Sequence, residues 1–118
     1  MKIAITGANS SVGKNLLIQL ATIPDLEIIA GVRSKSAFES LPKGASITPA
    51  VISYADVDSL ASVLAGADCV IHLAGILIET KHSNYASANV AATETVVEAA
   101  KRNKAKHIIF ISVVGASP

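Results

Sequence analysis

Thr6-Gly7-Ala8-Asn9-Ser10-Ser11-Val12-Gly13 follows an apolar run from Lys2 at the extreme N-terminus and opens directly into a helical pattern. A glycine-bearing turn between a strand and a helix makes an anion site through two effects at once. The free N–H groups of the first helical turn point outward, and the helix dipole favours negative charge beside them. Gly7 and Gly13 stand where such a unit needs a tight turn and a close approach of helix to strand. Ser10 or Ser11, according to the spacing assumed, takes the place where a third glycine would bring an anion against bare backbone.

The turn also resembles the end of a mononucleotide phosphate loop, G-x-x-x-x-G-K-[ST], because Lys14 follows Gly13. The spacing from Gly7 to Gly13 is one residue too long for that motif, and Asn15 stands where a hydroxyl would bind magnesium. A dinucleotide turn fits better.

On either side of this turn the chain alternates β-branched runs with helical patterns, the sign of repeated βαβ units and a parallel sheet. Five strands are expected: Lys2 to Thr6, Glu27 to Val32, Ser46 to Ile52, Cys69 to Leu73 and His107 to Ser112. All but the third are nearly continuous apolar runs, as strands covered on both faces should be. Pro49 marks the third as an edge. A helix is expected from Ser11 to Ala21 with Val12, Leu16 and Leu20 on its inner stripe. Another begins at Asp56 as N-cap, turns Val57, Leu60, Ala61 and Leu64 inward and stops at Gly66. The last runs from Tyr85 to Asn103, burying Ala86, Val90, Thr93, Val97 and Ala100. The crossover from Ser34 to Gly44 is weakly patterned. Right-handed crossovers then predict an α/β, three-layer, doubly wound parallel sheet of the Rossmann type, with strand order 3-2-1-4-5. A ligand would sit beyond the strand ends that carry Gly7, Arg33, Ser53, Gly75 and Ser112.

Length and charge narrow the function further. With 118 residues the chain has room for one domain and one core. A net charge of +1 gives no electrostatic reason to expect nucleic acid or an anionic membrane as partner. No apolar run approaches the roughly 20 residues that span a bilayer. Met1-Lys2 leads into a strand rather than a signal-peptide layout, and Cys69 is the single cysteine, so a reducing, cytoplasmic setting is expected.

Arg33 ends the second strand where an NAD site places a carboxylate on the ribose 2′-hydroxyl. A guanidinium suits the 2′-phosphate of NADP instead, and Ser34 and Lys35 add donors beside it. NADP is therefore expected ahead of NAD. A flavin domain is disfavoured because aromatic residues make up only 3% of the chain, too few for the stacking such a ring needs. No metal site is expected. Cys69 and His72 are separated by an odd number of residues on one strand and so point to opposite faces, and His72, His82 and His107 read as packing or surface residues.

Taken together, the Thr6 to Gly13 turn, Val32-Arg33, Ile71-His72-Leu73-Ala74-Gly75, Asn89-Val90-Ala91-Ala92-Thr93, Val96-Val97-Glu98-Ala99-Ala100 and Ile109-Phe110-Ile111-Ser112 form a pattern. It resembles the N-terminal portion of an extended or atypical short-chain dehydrogenase/reductase, of the NAD-dependent epimerase/dehydratase superfamily. The resemblance implies that Gly7, Asn9, Ser10, Ser11, Val12 and Gly13 hold a pyrophosphate and that Arg33 meets the adenosine ribose. It further implies that Ser53 and Tyr54 flank adenine, although family members usually carry an aspartate at the position of Ser53. Ala74, Gly75 and Ile76 would line the nicotinamide ribose, Asn89 would support that turn and Ser112 would close the floor.

The family's catalytic pair is a tyrosine and a lysine four residues apart on the helix after strand five, where the ammonium lowers the phenol pKa. This chain stops at Pro118, Tyr85 is followed four residues on by Asn89, and Val113 and Val114 replace the usual hydroxyl residue. The expectation is a cofactor-binding domain, without catalytic residues of its own, belonging to a longer oxidoreductase. A nucleotide-sensing regulator of the atypical type is the alternative. The small residues of the 85–103 helix would suit a homodimer interface or the chain's own sheet equally well.

Overall fold

A computed structural model describes residues 1–75 and 84–113, with side chains for 1–73 and 92–111. The strands are β1 (Lys2–Thr6), β2 (Glu27–Val32), β3 (Ile47–Val51), β4 (Cys69–Gly75) and β5 (His107–Val113). The helices are α1 (Ser11–Leu20), α2 (Val57–Val63) and α3 (Asn84–Arg102), and the weakly patterned crossover carries a short 3-10 helix, Lys35–Ser40. All strand pairs are parallel and their order is β3-β2-β1-β4-β5, as the alternation of elements predicts.

Successive residues of β1 face opposite layers because a strand has a period of two. Ile3 and Ile5 join Leu17 of α1, Ile28, Val32, Ile71 and Leu73 in one core layer. Ala4 faces the other, with Ile29, Leu60 of α2 and its C-cap Leu64, Val70, and Val96, Ala99 and Ala100 of α3. Each fully buried Leu or Ile contributes about 1.5–3 kcal/mol to holding these layers together.

Helix ends fall where local chemistry requires. The Ser10 hydroxyl caps α1 by accepting from Gly13 N at 3.0 Å. The Asp56 carboxylate caps α2 by accepting from the N–H groups of Asp58 and Ser59, both at 3.1 Å. Gly66, at φ +82°, reverses the chain after that helix.

Three expectations need correction. The inner stripe of α1 runs through Gly13 and Leu17, with Leu16 and Leu20 at its flanks, and Val12 is exposed. The reason is that the helix meets the β1 turn at Gly13, which rotates Val12 outward. In α3 the fully buried positions are Val96, Ala99 and Ala100, while Thr93 and Val97 are half-buried. Here the narrow alanines let the helix lie close on the sheet. The side chains of Ala86 and Val90 lie outside the described residues. Lastly, β5 is apolar but only partly covered among the described residues: Ile109 is 45% exposed and Phe110 49%, while Ile108 and Ile111 pack partly against the two core layers.

Candidate functional site

All five strands are parallel, so their C-terminal ends share one edge of the sheet. The order reverses between β1 and β4, the switch point at which sheets of this kind take their ligands, in a crevice outside the strand ends.

The turn after β1 sits at this crevice. Gly7 adopts φ +74°, a left-handed conformation that a side chain makes costly. Both Gly7 N and Ala8 N donate to the Gly31 carbonyl of β2 at 3.0 Å, which fixes the start of the turn. A Cβ at Gly13 would lie 2.5 Å from the Ala8 carbonyl oxygen, so helix and turn touch through bare backbone. This is the close approach for which the last glycine of a dinucleotide turn is needed. Ser10, three residues from each of Gly7 and Gly13, takes the middle position, with its hydroxyl oxygen turned to the N–H of Gly13. Among the described residues the N–H groups of Ser11 and Val12 have no hydrogen-bond partner, and both residues are exposed. Those two donors lie at the positive end of the α1 dipole, a fit for an anionic pyrophosphate.

Beyond β2, Arg33 is exposed and makes no ion pair among the described residues. Ser34 and Ser36 hydroxyls lie 2.9 Å apart next to it, and Lys35 is exposed between them. Beyond β3, the Ser53 hydroxyl accepts from Ala55 N at 3.2 Å, and Thr95 of α3 donates to the Tyr54 carbonyl at 3.0 Å. Ser53 is exposed, whereas the Tyr54 ring packs inward against the α2/α3 core layer.

Under the crevice lies a polar cluster that sequence reading missed. Thr6 and His72 are direct register partners on β1 and β4. Thr6 Oγ1 is 2.6 Å from His72 Nδ1, and both residues are buried. The Tyr54 ring meets the His72 ring edge-on with centroids 5.9 Å apart. On the far side, Phe110 of β5 meets His72 edge-on at 6.1 Å. Burial holds the His72 pKa below its ordinary value, so the ring is neutral near pH 7. Burial likewise raises the Tyr54 pKa, with the neighbouring Thr6 hydroxyl and the Arg33 charge pulling it back in part. His72 Nε2 is buried and unpaired. Cys69 packs in the other core layer, on the opposite face of β4 from His72. The signal for this cluster was a threonine at the end of one strand and a histidine in another, which only the strand register brings together.

Of the remaining expected site residues, Ala74 and Gly75 end β4 beside Ser112 and Val113 of β5, and Asn89 lies in α3. Their side chains, and all of Ile76, lie outside the described residues. Among the described residues no helix is long and apolar enough to cross a membrane.

Residues 7–118 match the family described as NAD(P)H-binding. No curated protein matches the chain. Among solved structures, a variant of uronate dehydrogenase from Agrobacterium tumefaciens complexed with NAD is similar at TM-score 0.75 and 24% identity, over 94% of this chain and 40% of that one. UDP-N-acetylglucosamine 4-epimerase from Bacillus cereus is similar at TM-score 0.76 and 21% identity, over 93% of this chain and 37% of that one. NADPH-dependent quinone oxidoreductase from Escherichia coli, complexed with NADPH, is similar at TM-score 0.68 and 28% identity, over 92% of this chain and 35% of that one. The chain thus spans well under half the length of these neighbours. With a glycine turn, a free helix N-terminus and the switch point of a Rossmann-type sheet in one place, the chain belongs to the NAD(P)H-binding family.

Proposed function

We propose that this chain is the NADP(H)-binding portion of a longer epimerase/dehydratase-like oxidoreductase. The observation that carries the NADP preference is Arg33, an exposed cation at the end of β2 with no acidic partner among the described residues. A planar guanidinium pairs bidentately with a phosphate, and the Ser34, Lys35 and Ser36 side chains stand beside it to supply further donors.

In this reading the turn residues Gly7, Asn9, Ser10, Ser11, Val12 and Gly13 hold the pyrophosphate and Arg33 holds the 2′-phosphate. Ser53 and Tyr54 flank adenine, the latter through its backbone because its ring is turned into the core. Ala74, Gly75 and Ile76 line the nicotinamide ribose, Asn89 supports that turn, and Ser112 closes the floor. The nicotinamide supplies the hydride chemistry when bound, and this chain supplies position and electrostatics. A cytoplasmic setting belongs to the same reading, supported by the buried free thiol of Cys69.

That the enzyme is longer is supported by the half-exposed Ile109 and Phe110 of β5 and by the greater length of the structural neighbours. A second reading is a nucleotide-sensing regulator without catalysis. Turnover of a carbonyl or sugar-nucleotide substrate by the longer protein would select the enzyme.

The cofactor preference is tested by titrating NADPH and NADH into the chain and into Arg33→Ala. The expected result is a loss of about tenfold or more for NADPH, with NADH changed by less than about twofold. Equal losses for both would remove Arg33 from the 2′-phosphate.

A further inference from the structure

The turn that starts at Gly7 hangs from one atom of β2. The Gly31 carbonyl accepts from the N–H groups of both Gly7 and Ala8 at 3.0 Å, whereas those of Ser11 and Val12, further along the same turn, have no partner among the described residues. Two donors at the start of the turn hold it to the sheet, and two at its end are left for a ligand. Gly31 is the register partner of Thr6, the last residue of β1, and lies two residues before Arg33. We propose that Gly31 is a positioning residue for the dinucleotide. Its carbonyl fixes where the turn leaves the sheet, and so the distance between the Ser11 and Val12 donors and the Arg33 cation carried by the same strand. The proposal rests on the nucleotide-binding reading above.

A glycine inside a strand weakens it and marks a place where something else comes close. Gly31 has no left-handed φ, so what its position demands is space. A Cβ there would lie 3.1 Å from the Ile5 carbonyl oxygen of β1 and 3.2 Å from both Cδ1 and Cγ2 of Ile52. Neither neighbour is free to yield. Ile5 belongs to the central strand, and Ile52 is only 2% exposed in the α2/α3 core layer, its own N–H bound to the Val32 carbonyl at 2.8 Å. An alanine would therefore push β2 away from β1 or displace Ile52, because a close-packed interior transmits such strain, and the carbonyl that holds the turn would move with it.

A ligand that meets a turn already held in place loses less binding energy to ordering it. Gly31 is buried and acts on the ligand only through that turn. Its effect should therefore appear with a ligand that reaches the turn and be small with one that does not. NADPH carries a pyrophosphate to the turn; 2′-AMP keeps the adenosine and the 2′-phosphate and has no phosphate to place there.

Amide hydrogen exchange and titration together test the proposal. In the ligand-free wild type the Gly7 and Ala8 amides should be protected at least about tenfold more than those of Ser11 and Val12, and equal protection of all four would overturn it. In Gly31→Ala, exchange at Gly7 and Ala8 should quicken about tenfold, while Asp68 N–H, which donates to the Lys2 carbonyl at the other edge of the sheet, changes by less than about threefold. The same variant should bind NADPH about tenfold more weakly and 2′-AMP within about threefold of wild type. Adding Ile52→Val, which removes the Cδ1 contact, should recover part of the lost NADPH affinity. Thermal unfolding confirms that each variant is folded at the titration temperature. Undiminished NADPH affinity in Gly31→Ala overturns the positioning role, as do equal losses for the two ligands, which would signal general loosening. A wild-type chain that binds no NADPH removes the nucleotide reading and the positioning role with it, and the exchange rates still decide whether Gly31 sets the turn.

Discussion

Strands β1 and β5 are similar as sequences and opposite as structures. Ile3-Ala4-Ile5 of β1 is buried on both faces, under α1 on one side and beside α2 and α3 on the other. Ile108-Ile109-Phe110 of β5 is at least as apolar, yet Ile109 and Phe110 are about half exposed. An apolar run records the environment a strand is suited to rather than the cover it has. Among the described residues β1, at the centre of the sheet, is therefore finished on both faces, and the β5 side is partly open.

The largest expected effect lies on the finished side. Ile5→Ala removes a side chain only 1% exposed at the centre of one core layer and should cost about 2–5 kcal/mol by chemical denaturation. An effect below about 1 kcal/mol would mean that β1 is not the centre of the core. Gly13→Ala comes next. Its new Cβ meets the Ala8 backbone, so the turn must shift, at a cost of about 1–3 kcal/mol and with weaker dinucleotide binding.

These two positions also show what could be read from sequence and what could not. Gly7 and Gly13 were legible because backbone geometry leaves few other residues for them. The inner stripe of α1 was misread because glycine carries no hydropathy signal: Val12-Leu16-Leu20 looks like a stripe, while the true one passes through Gly13 and Leu17. The α3 stripe slipped for a related reason, since Ala99 and Ala100 signal burial only weakly. The 3-10 helix over Lys35–Ser40 was unreadable because its exposed Ser and Lys residues have no period, although Ala37, Phe38 and Leu41 anchor it to the core. Arg33 was visible as a charge at a strand end. The pairing of Thr6 with His72 was not, because it depends on the register of two strands 66 residues apart.

A smaller effect should follow pH. Burial lowers the folded-state pKa of His72 below the ordinary 6.5, so the unfolded chain takes up a proton first as pH falls. The stability held by the neutral ring is fully present above pH 6.5 and is lost as pH drops through the folded-state value. Thermal unfolding at pH 7.5 and pH 5.5 should show a decrease in the wild type that is shallower in His72→Leu. Equal slopes would mean that His72 is not buried in solution.

The smallest effect belongs to the open side. Phe110→Ser should change stability by less than about 1 kcal/mol by chemical denaturation, because half of the ring is already in water. A loss as large as that of Ile5→Ala would break the comparison, since it would show that β5 is covered in solution.

The central claim is that the finished side is a dinucleotide site built around the β1 turn. Calorimetric titration of NADPH into the wild-type chain and into Gly13→Val tests it most directly. Saturable binding at one site in the wild type, lost in a Gly13→Val chain that remains folded, is the predicted result. Absence of binding in the wild type, or undiminished affinity in folded Gly13→Val, would contradict it.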